Sequence, residues 1–273
     1  MERAVNKSTS KHVKPLKAKH IQVLTTVTWT REISIADLFY LIEKRMKDNS
    51  WVVMLKCLIL IHILMREGYT ERVTGFIAGN PTILDVSWFR DKTMSPTAIQ
   101  QTENIRNYAT YLQDKVFVFR EIKDDFVKSK NDIVIKLRSM TAETGLLVQV
   151  SLLQRQVSAL LGCSFYAEEI DNVVTLQAFR MLVGDMMALF HLLNEGVIRI
   201  LGIFFEMERD DAQKAMDIYK KFAGQAQRII DFFDIARRLR SDLGIDIPHF
   251  KHVCFRSTRA YDLRYAMHSR RIY

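Results

Sequence analysis

Apolar residues recur every three or four positions along most of this chain, the spacing that puts them on one face of an α-helix. Residues 36–46 set Leu38, Phe39, Leu41, Ile42 and Met46 among Asp37, Glu43, Lys44 and Arg45. Ser34 is the predicted N-cap, with Asp37 three residues on. The next helix is predicted from Asn49 or Ser50 to a C′ glycine, Gly68. Its run from Trp51 to Met65 is apolar on nearly every face and belongs at the centre of a fold. That run holds Lys56 and His62 and is shorter than the ~20 residues that cross a bilayer. Asn80-Pro81 breaks the chain, and Met94, Ser95 and Pro96 open another helix with proline in its first turn.

From Thr97, the series Ile105, Tyr108, Tyr111, Leu112, Val116, Phe119, Ile122 and Phe126 predicts one long helix to Ser129. A polar loop is expected over 130–144. The helical pattern resumes over Leu146 to Leu161 and stops at Gly162. Residues 172–208 are long and very apolar, and Gly184, Gly196 and Gly202 leave room for close helix contact or a break. The clearest stripe is Ala215, Ile218, Tyr219, Phe222, Ala226, Ile229, Phe233 and Ala236, ended by Gly244 and Pro248. No repeat of 30–40 residues with matching positions is present. The expected architecture is therefore an all-α, irregular stack of unequal helices, cooperative as one domain up to about Pro248.

Composition narrows this. The 273 residues include only 10 Gly and 4 Pro, too few turn formers for an all-β fold. Cys57, Cys163 and Cys254 are sparse and far apart, which fits a reducing compartment and no zinc cluster. Residues 1–20 lack the apolar core of a secretory signal. A soluble cytoplasmic protein is expected.

Charge changes the picture more. The formal net charge is +9. Residues 1–20 carry Arg3, Lys7, Lys11, Lys14, Lys17 and Lys19 against Glu2, a net of +5. Residues 249–273 carry Lys251, Arg256, Arg259, Arg264, Arg270 and Arg271 against Asp262, again +5, so the body between is close to neutral. Localised charge points to a localised anionic partner.

No motif of nucleophilic, metal-dependent or nucleotide chemistry is present, so neither an enzyme nor a bound metal or cofactor is expected. Gly75 and Gly79 form a G-x-x-x-G that reads as a helix end or close packing. His62 and His191 lie in apolar helices and read as core residues, while His249 and His252 have no acidic or cysteine neighbour. Asp124-Asp125 reads as solvated surface and Asp210-Asp211 as a helix N-terminus.

The informative stretch is Lys7 to His20. Lys17 and Lys19 would share one side of an extended segment, which Pro15 favours. A first amphipathic helix is expected to begin at about His20, with Ile21, Leu24 and Val27. Its N-terminus offers free N–H groups and a positive dipole end to an anion. With Lys7 arriving from upstream, these groups could surround a multiply phosphorylated ligand, the ammonium groups acting as point charges.

Lys7-Ser8-Thr9, six residues, then Leu16-Lys17-Ala18-Lys19-His20 resembles the inositide-binding signature of the ANTH domain, the clathrin-assembly adaptor module. Lys7, Thr9, Leu16, Lys17, Lys19 and His20 match that pattern, and Ser8 replaces its usual alanine. Residues 49–62 are similar to the family's second signature helix. Leu193 to Ile198 and Asp217 to Phe222 resemble two further family segments, in order, and the likeness is strongest to fungal members.

The resemblance implies an ENTH/VHS-like α-solenoid of about 8–11 helices, with an ANTH domain over 1–250. It implies that Lys7, Lys17, Lys19 and His20 bind phosphatidylinositol 4,5-bisphosphate at the surface, without deep insertion. Lys11 and Lys14, inside the variable six, are auxiliary cations. It further implies a cytoplasmic protein peripheral to the plasma membrane and to clathrin-coated pits and vesicles. Clathrin and adaptor complexes would bind a tail beyond the domain, and vesicle SNARE cargo would bind near the domain's end. Residues 251–273 form a divergent basic segment, which from Cys254 to Tyr273 resembles nothing in the family pattern.

Two other classes compete. A nucleic-acid binder would use aromatic residues for stacking, and residues 1–20 have none. Its charge would also run along a helix face instead of gathering at the ends. A helical protein-interaction scaffold would carry the basic end only as a solvated tail.

Overall fold

Helix starts in the chain follow local chemistry. Ser34 caps the helix Ile35–Met46, its hydroxyl accepting the Asp37 amide. Pro96 opens Pro96–Ile122, and Asn172 accepts the amides of Val174 and Thr175 ahead of Val173–Gly202. The structure, a computed structural model, describes residues 1–92, 96–163, 170 and 172–247. Cys254 and the basic carboxy-terminal segment therefore lie outside the described residues, as do Met94, Ser95, His249 and His252.

Among the described residues there are eleven α-helices and no strand. They are α1 (Glu2–Ser8), α2 (Ala18–Trp29), α3 (Ile35–Met46), α4 (Trp51–Glu67), α5 (Thr70–Gly79) and α6 (Pro96–Ile122). Then come α7 (Lys130–Ser139), α8 (Leu146–Leu161), α9 (Val173–Gly202), α10 (Arg209–Arg238) and α11 (Arg240–Leu243). Each helix packs on near neighbours in sequence, as in a solenoid, while α4 and α9 run through the middle. In α4 every residue from Val52 to Met65 is buried, as its unbroken apolar surface predicted. Helix α9 is long and apolar enough to cross a bilayer, but 61% of its most apolar window is buried in this fold.

Several elements differ from the sequence expectation. The helix expected to reach Ser129 ends at Ile122, and Lys123 turns the chain in the left-handed region at φ 57. The loop expected over 130–144 contains α7, held by Ile133, Val134 and Leu137 packed toward α9. The apolar stretch 172–208 breaks at Gly202 into a short 3-10 turn. Gly68 ends α4 with an extended backbone, not a left-handed one. Close approach explains the glycine: a Cβ there would lie 2.5 Å from the Leu64 carbonyl oxygen and 2.8 Å from Thr28 Oγ1. Gly196 likewise admits Val150 of α8, whose Cγ2 would be 2.6 Å from an added Cβ. Gly79 ends α5, and neither Gly75 nor Gly79 makes a close contact. His191 faces outward instead of into the core.

His62 is indeed buried, in a polar network at the centre of the stack. Its Nε2 lies 2.8 Å from Asp185 Oδ2 on α9 and its Nδ1 2.7 Å from the Tyr108 hydroxyl on α6. Burial lowers the His62 pKa more than Asp185 raises it, so the ring is neutral. A neutral ring fits both contacts only by donating from Nε2 to the carboxylate and accepting at Nδ1. The Tyr111 hydroxyl donates to the same carboxylate. Arg66 Nη1 sits 3.4 Å from Asp185 Oδ1, crossing α9 where Gly184 has no side chain. Lys115 Nζ lies 3.8 Å from Asp185 and 2.8 Å from Asp125. Asp125 is thus buried, not solvated as its acidic neighbour suggested, and it also accepts the Val127 and Lys128 amides. Two carboxylates and two cations balance.

Burial pushes the Asp185 carboxyl up, yet His62, Lys115 and Arg66 outweigh it and hold it well below the usual carboxylate range. Its contribution to stability is therefore complete above the unfolded value of about 3.9 and is lost as pH falls below that. Asp185→Asn leaves Lys115 and Arg66 under-compensated and is expected to cost about 3–5 kcal/mol. Urea unfolding at neutral pH checks this, and the deficit should shrink as pH falls below about 3.9, where the carboxylate of the unfolded chain takes up a proton while the native one is still ionised.

Candidate anion-binding site

Helix α1 was not anticipated. It puts Arg3 and Lys7 one turn apart on one face. Ala4 and Val5 bury the opposite side against α2 and α3. Helix α2 begins at Ala18, earlier than expected, so Lys17 and Lys19 do not lie together in an extended strand. Lys17 is the N-cap, extended at φ −79 and ψ 125, and Lys19 and His20 occupy the first turn. No side chain caps that turn, which leaves its N–H groups and dipole end facing the lysines.

His20 reports the resulting geometry. Its pKa is lowered by burial and then by the charges of Lys19, Lys17, Lys7 and Arg3. All four cations thus act electrostatically on one imidazole, two from α1 and two from the start of α2. All four are exposed, and among the described residues none of their side chains has an ion pair or hydrogen bond. Lys11 is different: its ammonium is 2.9 Å from Asp48 Oδ1. Lys14 is exposed and is not among the charges acting on His20. The structure therefore brings together Lys7, Lys17, Lys19 and His20, adds Arg3, and leaves Lys11 and Lys14 apart. The i, i+4 spacing from Arg3 to Lys7 was the available signal for Arg3, and it has meaning only once α1 is a helix.

Two other positions of the signature are anchors. Thr9 is fully buried; its hydroxyl donates to the Val5 carbonyl at 2.8 Å and accepts from Arg45 Nε at 3.0 Å. Arg45 Nη2 also holds the Thr9 carbonyl at 2.7 Å. Leu16 is 6% exposed, and its amide donates to Gln177 Oε1 of α9 at 3.0 Å. The segment between Lys7 and Lys17 is thus fastened near both ends to the body of the fold. Ser8 is buried, so it offers nothing to a surface ligand, and its hydroxyl has no hydrogen-bond partner among the described residues, a desolvation cost that the usual alanine avoids.

The sequence pattern of the ANTH domain matches residues 1–265. The chain belongs to the ANTH-domain family. It is 33% identical over 251 residues to an ENTH domain-containing protein of Schizosaccharomyces pombe, covering 92% of this chain and 38% of that protein. It is 35% identical over 246 residues to the mouse clathrin coat assembly protein AP180, covering 90% of this chain and 27% of the relative. The human phosphatidylinositol-binding clathrin assembly protein is 34% identical over 248 residues, covering 91% and 37% respectively. The chain therefore spans less than two-fifths of these relatives' lengths. The ENTH domain of epsin-2, solved with phosphatidylinositol 4,5-bisphosphate, shares the fold with a TM-score of 0.68 at 16% identity, covering 91% of this chain and 96% of that one. The irregular all-helical stack read from the pattern, and the solenoid implied by the resemblance, thus agree with the fold of the ENTH/ANTH group.

A cluster of unpaired cations at an uncapped helix start is suited to an anion carrying several charges, each phosphate taking a different ammonium. The clustering itself can be tested without a ligand. The His20 imidazole, followed by NMR, should titrate below the ordinary histidine value of about 6.5. Lys19→Gln should move it back upward, and Lys14→Gln should leave it unchanged.

Proposed function

We propose that this chain is a peripheral membrane adaptor that binds phosphatidylinositol 4,5-bisphosphate in the cytosolic leaflet of the plasma membrane, serving clathrin-mediated endocytosis and coat assembly. The observation that carries this reading is the electrostatic action of Arg3, Lys7, Lys17 and Lys19 on His20 beside the open first turn of α2. Family membership, the names of the clathrin-assembly relatives and the ligand of the epsin-2 domain support it. Residues 1–250 are the proposed ANTH unit and 251–273 a basic extension, although the family match itself runs on to residue 265. Clathrin and adaptor complexes would engage segments beyond the matched domain. SNARE cargo would engage the domain's far end, which lies outside the described residues. The role is recognition without catalysis.

Binding of this kind is electrostatic, reversible and salt-sensitive, and one headgroup site gains strength from the avidity of a coat. Lys17→Glu combined with Lys19→Glu should keep the helical fold by circular dichroism and abolish sedimentation with inositide vesicles. Unchanged sedimentation refutes the site. Were the protein a scaffold with a solvated basic tail, binding would track net charge alone and survive replacement of the inositide by charge-matched phosphatidylserine.

A pH dependence follows from His20. Its neighbours favour the neutral ring in the free protein, whereas a bound phosphate favours the protonated one. Binding therefore takes up a proton and should strengthen as pH falls from about 7.5 to about 6. His20→Gln should flatten that profile in vesicle co-sedimentation.

A further inference from the structure

The central helix α4 carries one lysine at a position where every neighbour in sequence is apolar. Lys56 is 1% exposed, and among the described residues its ammonium has no carboxylate partner. Burying an ammonium is costly unless all its donors are used. Lys56 uses them on a single target, the segment that joins the two halves of the cationic cluster. Its Nζ donates to the Ser10 carbonyl at 2.9 Å, to the His12 carbonyl at 2.7 Å and to Ser10 Oγ at 3.3 Å. The His12 carbonyl accepts a second bond, from the Lys14 amide at 2.8 Å, which closes a tight turn around Val13.

We propose that Lys56 is a positioning residue for headgroup recognition: from the core of the fold it fixes the backbone between Lys7 and Lys17, and so sets the spacing of cations that it never touches. This rests on the headgroup reading above. Three donors match three acceptors, so the residue is saturated and has nothing left for a ligand. Thr9 and Leu16 fasten the segment near its ends, and in its middle Lys11 meets Asp48 only through an exposed side-chain ion pair, which leaves the backbone there to Lys56. Without Lys56 the lysines keep their charge and lose their fixed separation. Attraction to any anionic surface depends on the charge alone, while recognition of a compact polyphosphate depends on the separation, because flexible groups must be ordered when it binds. A residue that merely stabilised α4 would affect both kinds of binding equally.

The test is Lys56→Met in the whole chain, measured by co-sedimentation with vesicles containing phosphatidylinositol 4,5-bisphosphate and with charge-matched phosphatidylserine vesicles. The expected result is a loss of about tenfold on the inositide vesicles with little change on phosphatidylserine. Hydrogen exchange at the Lys14 and Leu16 amides should quicken while α4 stays protected. Should wild type itself fail to prefer the inositide vesicles, the headgroup reading falls. If wild type prefers them and Lys56→Met does so equally, this proposal alone is overturned. If Lys56→Met does not fold, Lys56→Gln decides, since its shorter side chain fills most of the same space and brings at most two donors to the Ser10 and His12 acceptors. Retained inositide preference in Lys56→Gln then counts against the proposal, and loss of it with phosphatidylserine binding intact supports it.

Discussion

The whole arrangement depends on α4 being surrounded. A helix with every residue from Val52 to Met65 buried must have partners on all sides, which is why α2, α3, α5, α6 and α9 gather around it. Its two polar side chains are then forced to find partners inside protein. They do so at different places: Lys56 bonds the segment ahead of α2, and His62 bonds α6 and α9. One apolar helix therefore organises both the folding centre and the approach to the surface site.

The site illustrates a division of labour that a sequence signature conceals. Residues matched by one pattern serve opposite ends. Lys7, Lys17 and Lys19 stay exposed, whereas Thr9 and Leu16 are buried and hydrogen-bonded. A tight stretch of chain with fixed ends can hold like charges close together because the cost of their repulsion is met by contacts elsewhere in the fold. The asymmetry between Lys11 and Lys17 follows from the same geometry: one finds Asp48, and the other finds only further cations.

Much of the fold was legible because it is written locally. Ser34, Pro96 and Gly162 mark helix ends through capping and backbone chemistry that neighbouring residues decide. The errors arose where tertiary contact decides. Helix α7 has three buried apolar residues in a polar stretch and gains its surroundings from α9. Asp125 looks solvated until Lys115, ten residues earlier, is seen reaching it from the preceding helix. Helix α1 is seven residues long, too short to announce itself by periodicity, and with it Arg3 was missed as a member of the cluster. The cationic residues could be picked out from their spacing and the expected helix start, but only likeness to a family told a headgroup site from a tail.

Helix α1 has a further consequence. Isolated helices of this length are not stable in water, so α1 owes its shape to Ala4 and Val5 packing on its neighbours. Yet its outer face holds two cations beside three more basic groups at the start of α2, Lys17, Lys19 and His20. In the proposed role, an incoming polyanion would cancel that mutual repulsion, making the amino-terminal turn the part of the molecule that rigidifies on arrival at a lipid surface and loosens on departure.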